Sequence, residues 1–188
     1  IDPILITAHL LTAIQQIVSR RATPTTPTVV TFGKINSVGG STNVIPNKVK
    51  LEGTFRTMNE KWRREAHKRM KKLVKNMAKA MGGAAQRTIV KGYPVLVNND
   101  ELTAKARRYA VEYLGEENVV DLPIRMTAED FAYFSHQLPA CFYRLGTGNV
   151  AKGITSPVHT DTFDVDEDSM RLSTGLMAWM TLRELSAS

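Results

Sequence analysis

Lys48-Val49-Lys50-Leu51-Glu52-Gly53-Thr54-Phe55-Arg56 alternates strictly. Val49, Leu51, Gly53 and Phe55 fall on one side, and Lys48, Lys50, Glu52, Thr54 and Arg56 on the other. A period of two is that of a half-buried strand, here within a β segment read from Val44 to Met58. Just beyond it the period changes. Trp62, Ala66, Met70, Leu73, Val74, Met77 and Met81 recur at spacings of three and four, one face of a helix that Gly82-Gly83 stops. Arg63, Arg64, Lys68, Lys71, Lys75 and Lys79 then point mainly to solvent. Upstream, Thr28 to Ile35 is β-rich and Gly39-Gly40-Ser41 is a turn. Residues 4 to 20 form a helix with Ile4, Ala8, Leu11, Ile14 and Val18 as its apolar face, closed by Arg20 and Arg21 in favourable register with the helix dipole. A third strand is expected from Gln86 to about Val95. The result is a small α+β unit, an antiparallel sheet with two helices on one face, lacking an edge strand at its beginning.

The pattern shifts at Asn98-Asn99-Asp100, which gives two blocks, 1–96 and 97–188. In the second, a helix runs from Glu101 to Leu114 and ends at Gly115. Short strands are expected at Val119-Val120 and from Ala140 to Leu145. Thr127 caps a helix that carries Asp130 at its third position, and Asp166 begins the last helix, which runs to about Leu185. Two strands are too few for an independent sheet, so this block reads as an incomplete α/β piece. Cys141 reads as a buried strand residue.

Composition removes several function classes. The 188-residue chain has a net charge of +7, but nine Lys or Arg against one Glu lie between Lys61 and Lys79, so the basicity belongs to one helix. The simplest reading of that helix is a solvated outer face; with no aromatic platform, zinc-finger spacing or phosphate loop, neither nucleic acid nor membrane is expected as a partner. No apolar run has the length of a membrane span. The single cysteine, Cys141, permits no internal disulfide and suits a reducing, cytoplasmic setting. The chain opens Ile1-Asp2-Pro3, without an initiator methionine, as though cut from something longer.

His159, in Ser156-Pro157-Val158-His159-Thr160-Asp161-Thr162-Phe163-Asp164, is the candidate metal ligand. A loop restricted by a Pro-Val step can hold an imidazole nitrogen toward a fixed point. By residue type alone an isolated histidine lacks ligand spacing, and a surface or hydrogen-bonded role is the simpler alternative. Asp164, Asp166 and Asp168 fail as a calcium loop, because Ser169 and Gly175 stand where glycine and glutamate are required; they read as acidic caps of the last helix.

Several motifs together form a resemblance. Gly39-Gly40-Ser41-Thr42-Asn43-Val44-Ile45-Pro46 and Leu51-Glu52-Gly53-Thr54-Phe55-Arg56-Thr57 resemble the lid domain of zinc amidohydrolases and metallopeptidases of the aminoacylase and carboxypeptidase G type. Met126-Thr127-Ala128-Glu129-Asp130-Phe131, Tyr143-Arg144-Leu145-Gly146 and Val158 to Asp164 are similar, in the same order, to the branch with hippurate hydrolases and auxin-conjugate hydrolases.

The resemblance implies a lid and dimerisation domain over 1–96 and the C-terminal part of a catalytic domain over 97–188. It implies hydrolysis of an N-acyl amino acid or small peptide amide by two divalent metal ions, zinc or else manganese, with a glutamate as general base. His159 then matches a metal ligand, Asn43 and Arg56 match lid residues that hold the substrate, and Gly146 lies where the backbone approaches substrate. The family's Cys-Gly-His-Asp motif and its Glu-Glu pair are absent; Glu116-Glu117 is out of context. No catalytic base is therefore assigned in this chain, which is expected to be inactive alone and to form a homodimer through the lid. The alternative is a non-enzymatic dimerisation or binding module.

Overall fold

The computed structural model describes residues 1–186. They form two compact units, one built from Ile1–Val95 with Arg125–Ala128, the other from Leu96–Ile124 and from Glu129 onward.

In the first unit, helix α1 (Pro3–Ile14) starts because Asp2 accepts hydrogen bonds from the Ile4 and Leu5 amides, with Pro3 at a position that needs no donor. A π-type turn, Ile17–Arg21, continues it. Strands β1 (Thr28–Val38) and β2 (Lys48–Thr57) pair antiparallel, with Phe55 opposite Val30 and Arg56 opposite Val29. The register shifts between Phe32 and Lys34, which makes Gly33 the extra residue of a bulge. Helix α2 (Glu60–Ala80) is capped by Asn59, whose side chain accepts from the Trp62 amide. At its other end the Gly82 amide donates to the Lys79 carbonyl and the Gly83 amide to that of Ala78, with Gly82 at φ 76°. Those two bonds and the left-handed glycine are the glycine stop that the sequence announces.

The core is the alternation of β2 folded against the stripe of α2. Ile14, Ile17, Ala66 and Met70 are buried together, with Val30, Phe32, Phe55, Trp62, Leu73 and Val74 packed around them. Ile6, Leu10 and Ala78 form the adjoining cluster. The buried face of α1 therefore differs from the expected one. Ile6, Leu10 and Ile14 face inward while Ile4 and Ala8 are exposed. The helix is apolar nearly all round, so its own periodicity does not select a face; contact with Leu73, Val74 and Ala78 of α2 does.

The expected strand from Gln86 to Val95 is not formed, and the sheet has two strands. A strand needs a neighbour for its amides and carbonyls. Here side chains of α2 serve instead: Arg63 donates to the Tyr93 carbonyl (2.8 Å), and the Val95 amide donates to Glu60 (3.0 Å).

The second unit contains α3 (Asp100–Leu114), a single turn α4 (Ala132–Ser135) and α5 (Asp168–Ser186). Asn99 caps α3, and Gly115, at φ 88°, ends it. Gly175 of α5 lies so close to the Tyr113 hydroxyl that a β-carbon there has no room. Neither Val119-Val120 nor Ala140 to Leu145 becomes a strand, so the α/β expectation for this block is not met by its described residues. The physical reason is the same: no partner strand lies alongside. The Asn98 side chain does part of that work, donating to the Phe142 carbonyl (2.9 Å) and accepting from the Phe142 amide (2.8 Å), while the Asn99 amide donates to the Ala140 carbonyl. Cys141 is accordingly half-buried in irregular chain, not in a strand. Thr127 does not cap α4, whose first residue is Ala132, too far along for a side-chain cap to reach. The last helix begins at Asp168, two residues after the expected Asp166.

Candidate functional site

His159 sits at the tip of a loop with an exposed side chain and φ 68°, the one non-glycine residue in the left-handed region among the described residues. That conformation costs free energy for a residue with a β-carbon, and a structure keeps it where the surroundings over-determine it. The surroundings are visible. Thr160 Oγ1 donates to the Pro157 carbonyl (2.8 Å), the Ser156 and Thr162 hydroxyls share a hydrogen bond (2.8 Å), and the Phe163 amide donates to the Thr160 carbonyl.

The loop leads to an anchor that sequence reasoning treated only as an acidic cap. Asp166 is buried, and its carboxylate accepts from Asn149 Nδ2 (2.6 Å), Lys152 Nζ (2.6 Å) and the Asp168 amide (3.3 Å). These donors, Asn149 first and then Lys152, hold the carboxyl below its ordinary range, while Asp166 and Asp168 together push the Lys152 ammonium up. The Asp166 amide donates to the Thr147 carbonyl (2.8 Å). One residue thus ties the end of the His159 loop to the Gly146-Thr147-Gly148 turn. The sequence carries no local signal for this anchor, because Asn149 and Lys152 lie 17 and 14 residues before Asp166. Gly146 itself has open space around it, so nothing within the unit demands glycine there. Beside it, Arg144 pairs with Glu129 at 3.5 Å, which gives the Glu129 carboxylate a cationic neighbour. The Tyr143 hydroxyl, against Met177 of α5, is pushed up by burial.

In the first unit, Asn43 occupies the connection between β1 and β2. Ser41 Oγ donates to Asn43 Oδ1 (2.9 Å), and Ser41 and Val44 exchange backbone hydrogen bonds. Gly40, at φ 84°, allows the turn to close, because a β-carbon there would lie 2.7 Å from the Val44 carbonyl oxygen. Arg56 projects from the hairpin face opposite the helices, and its Nη1 donates to the Met126 carbonyl (2.7 Å), which holds Arg125–Ala128 in this unit. Asn43 lies beyond one end of β2 and Arg56 near the other, roughly 26 Å along the strand from Lys48 to Arg56. One hairpin therefore does not present both to the same small carboxylate.

A metal needs several donors around one point, about four for zinc. Among the described residues no group of three or more His, Cys, Asp or Glu converges in that way. The residues present do not by themselves fit a metal centre, and His159 is one donor without a completed set.

The model of peptidase family M20/M25/M40 matches residues 9–181. The chain is 32% identical to thermostable carboxypeptidase 2 of Saccharolobus solfataricus over 173 residues, covering 92% of this chain and 43% of that protein. It is 31% identical to an IAA-amino acid hydrolase of Arabidopsis thaliana, covering 100% of this chain and 44% of the relative. It is 33% identical to the N-acetyl-L-cysteine deacetylase of Bacillus subtilis, covering 90% and 39%. The chain thus spans less than half the length of these curated relatives. Among solved structures, one described as an aminohydrolase of methicillin-resistant Staphylococcus aureus superposes with a TM-score of 0.73 at 28% identity, over 96% of this chain and 46% of the other. A dinuclear metal-binding M20 peptidase of Bacillus subtilis gives a TM-score of 0.78 at 24% identity, over 99% and 47%, a likeness of fold.

Proposed function

This chain belongs to peptidase family M20/M25/M40, and from that premise we propose that it is part of a metal-dependent amidohydrolase cleaving the amide bond of an N-acyl amino acid or small peptide. The observation that carries the reading is the His159 loop: an exposed imidazole on a backbone held at positive φ by its own hydroxyl hydrogen bonds. In this reading His159 is one ligand of a two-metal centre, zinc or manganese, whose other donors and general base come from outside this chain. The chain alone is then inactive.

Residues 1–96 act as lid and dimerisation domain and residues 97–188 as part of the catalytic domain. Arg56 offers a guanidinium fork matched to a planar carboxylate, and a substrate would exchange its single bond to the Met126 carbonyl for two charge-assisted ones. Asn43 contributes an amide. The strand-length gap between them favours a homodimer in which each substrate meets Arg56 of one copy and Asn43 of the other. A two-stranded sheet whose strands are both edges, with Ile35 and Val38 exposed, suits pairing of that kind. Gly146 lies beside the substrate path, and the single cysteine fits a cytoplasmic enzyme. No helix among the described residues is long and apolar enough to cross a membrane.

The test is hydrolysis of N-acetyl and N-benzoyl amino acids by the longer polypeptide that carries this chain, loaded with zinc or manganese. Turnover should fall at least about a thousandfold in His159→Ala, while Arg56→Lys should raise KM more than it lowers kcat. Full activity in His159→Ala would overturn the assignment.

A further inference from the structure

The outward face of α2 carries a straight row of cations. Lys61, Arg64, Lys68, Lys72, Lys75 and Lys79 are all exposed, and at 3.6 residues per turn they fall within an arc of about 80°, opposite the buried Ala66 and Met70. The row is roughly 27 Å long, with neighbours about 4.5–6 Å apart along the helix axis. The two acidic residues of the helix do not neutralise it. Glu60 is engaged by Arg63 (2.8 Å) and Glu65 by Arg69 (2.9 Å), and both of those arginines lie off the row. None of the six forms an ion pair among the described residues.

We infer that this row is a docking surface for the phosphate backbone of a nucleic-acid duplex, bound without sequence preference. Charge and shape both point there. Along one duplex strand the phosphates rise ~3.4 Å of axis each but wind around it, so neighbours lie about 7 Å apart and a straight 27 Å row follows about four of them with its six cations. The outer arc has no aromatic side chain on which an unpaired base could stack, so a paired duplex is the matching form. A bilayer fits less well. The apolar stripe of α2 is consumed by the core, so the helix has no face left to bury among acyl chains, and a single file of charge matches a line of phosphates better than a plane of headgroups.

The test is fluorescence anisotropy of the full chain with a labelled duplex of about 20 base pairs at about 50 mM salt, followed by a salt titration. With about four phosphates engaged, log K should fall against log salt with a slope near −4. Lys68→Glu, Lys72→Glu and Lys75→Glu together should weaken binding more than about tenfold and flatten the slope to about −2 or shallower. An equal reversal elsewhere, Lys34→Glu with Lys48→Glu and Arg87→Glu, should cost far less. Circular dichroism of both triple variants confirms that the fold is kept. The inference is overturned by no binding at low salt, by equal losses in the two triple variants, or by capture on phosphatidylserine vesicles without binding to duplex.

Discussion

The two units solve the same problem by different means. In the first, apolar stripes of α1, α2 and the hairpin cover one another, and the core is made by side chains such as Ile17 and Met70. In the second, the segments 119–124 and 139–166 contain no strand, and side chains such as Asn98 and Asp166 bridge stretches of irregular backbone. Val120, Leu122 and Ile124 stay exposed. The lesson is that an apolar run becomes a strand only when something lies beside it to pair with.

The sharpest way to break the contrast is to open a hole in the first core. Ile17, 2% exposed, changed to Ala should cost about 2–5 kcal/mol. Urea titration followed by Trp62, in a Trp179→Phe background, should show the loss. The same titration followed by Trp179 in a Trp62→Phe background should barely move if the units fold separately.

The complementary change is Asn98→Ala, which removes both polar links to Phe142 and should cost about 1–3 kcal/mol. Here hydrogen exchange is the measurement: the Phe142 amide should lose protection while amides of β1 and β2 keep theirs.

Helix punctuation gives a smaller effect. Gly82→Ala forces a β-carbon into a left-handed position and should destabilise the first unit by about 1 kcal/mol, read as a lower urea midpoint with an unchanged slope.

The smallest expected effect is that of pH. Burial, then the nearby cations Arg63, Lys71 and Lys91, hold the His67 imidazole below its ordinary 6.5, against the ring of Phe55 at 5.4 Å. The folded state therefore resists a proton that the unfolded chain accepts. Its contribution is present above the unfolded value and lost as pH falls through 6.5 toward the folded value. The urea midpoint of the first unit should drop on acidification from about pH 7 to pH 5, and more shallowly in His67→Gln.

What was legible in the sequence follows the same division. The alternation of Val49 to Phe55, the stripe from Trp62 to Met81 and the glycine stops at Gly82 and Gly115 are local signals that this chain satisfies within itself, and they appear in the structure. The inward face of α1 was not legible, because Ile4, Leu5, Ile6, Leu10 and Leu11 offer more than one stripe until α2 selects one. Neither was the third strand, whose backbone instead finds Arg63 and Glu60. At the candidate site, the loop position of His159 was readable from the Pro157-Val158 step, while its role as a ligand rests on resemblance. The Asp166 anchor and the engagement of Arg56 by Met126 were not, because both depend on contacts between positions far apart in the chain.

The central claim is that this family member carries one metal ligand of a centre whose other donors lie outside it. Zinc titration of the isolated chain by calorimetry tests it directly. The account predicts binding no tighter than about 100 µM, little changed by His159→Ala, and no turnover of N-acyl amino acids. Uptake of two zinc ions at submicromolar affinity, lost in His159→Ala and accompanied by hydrolysis, would contradict it.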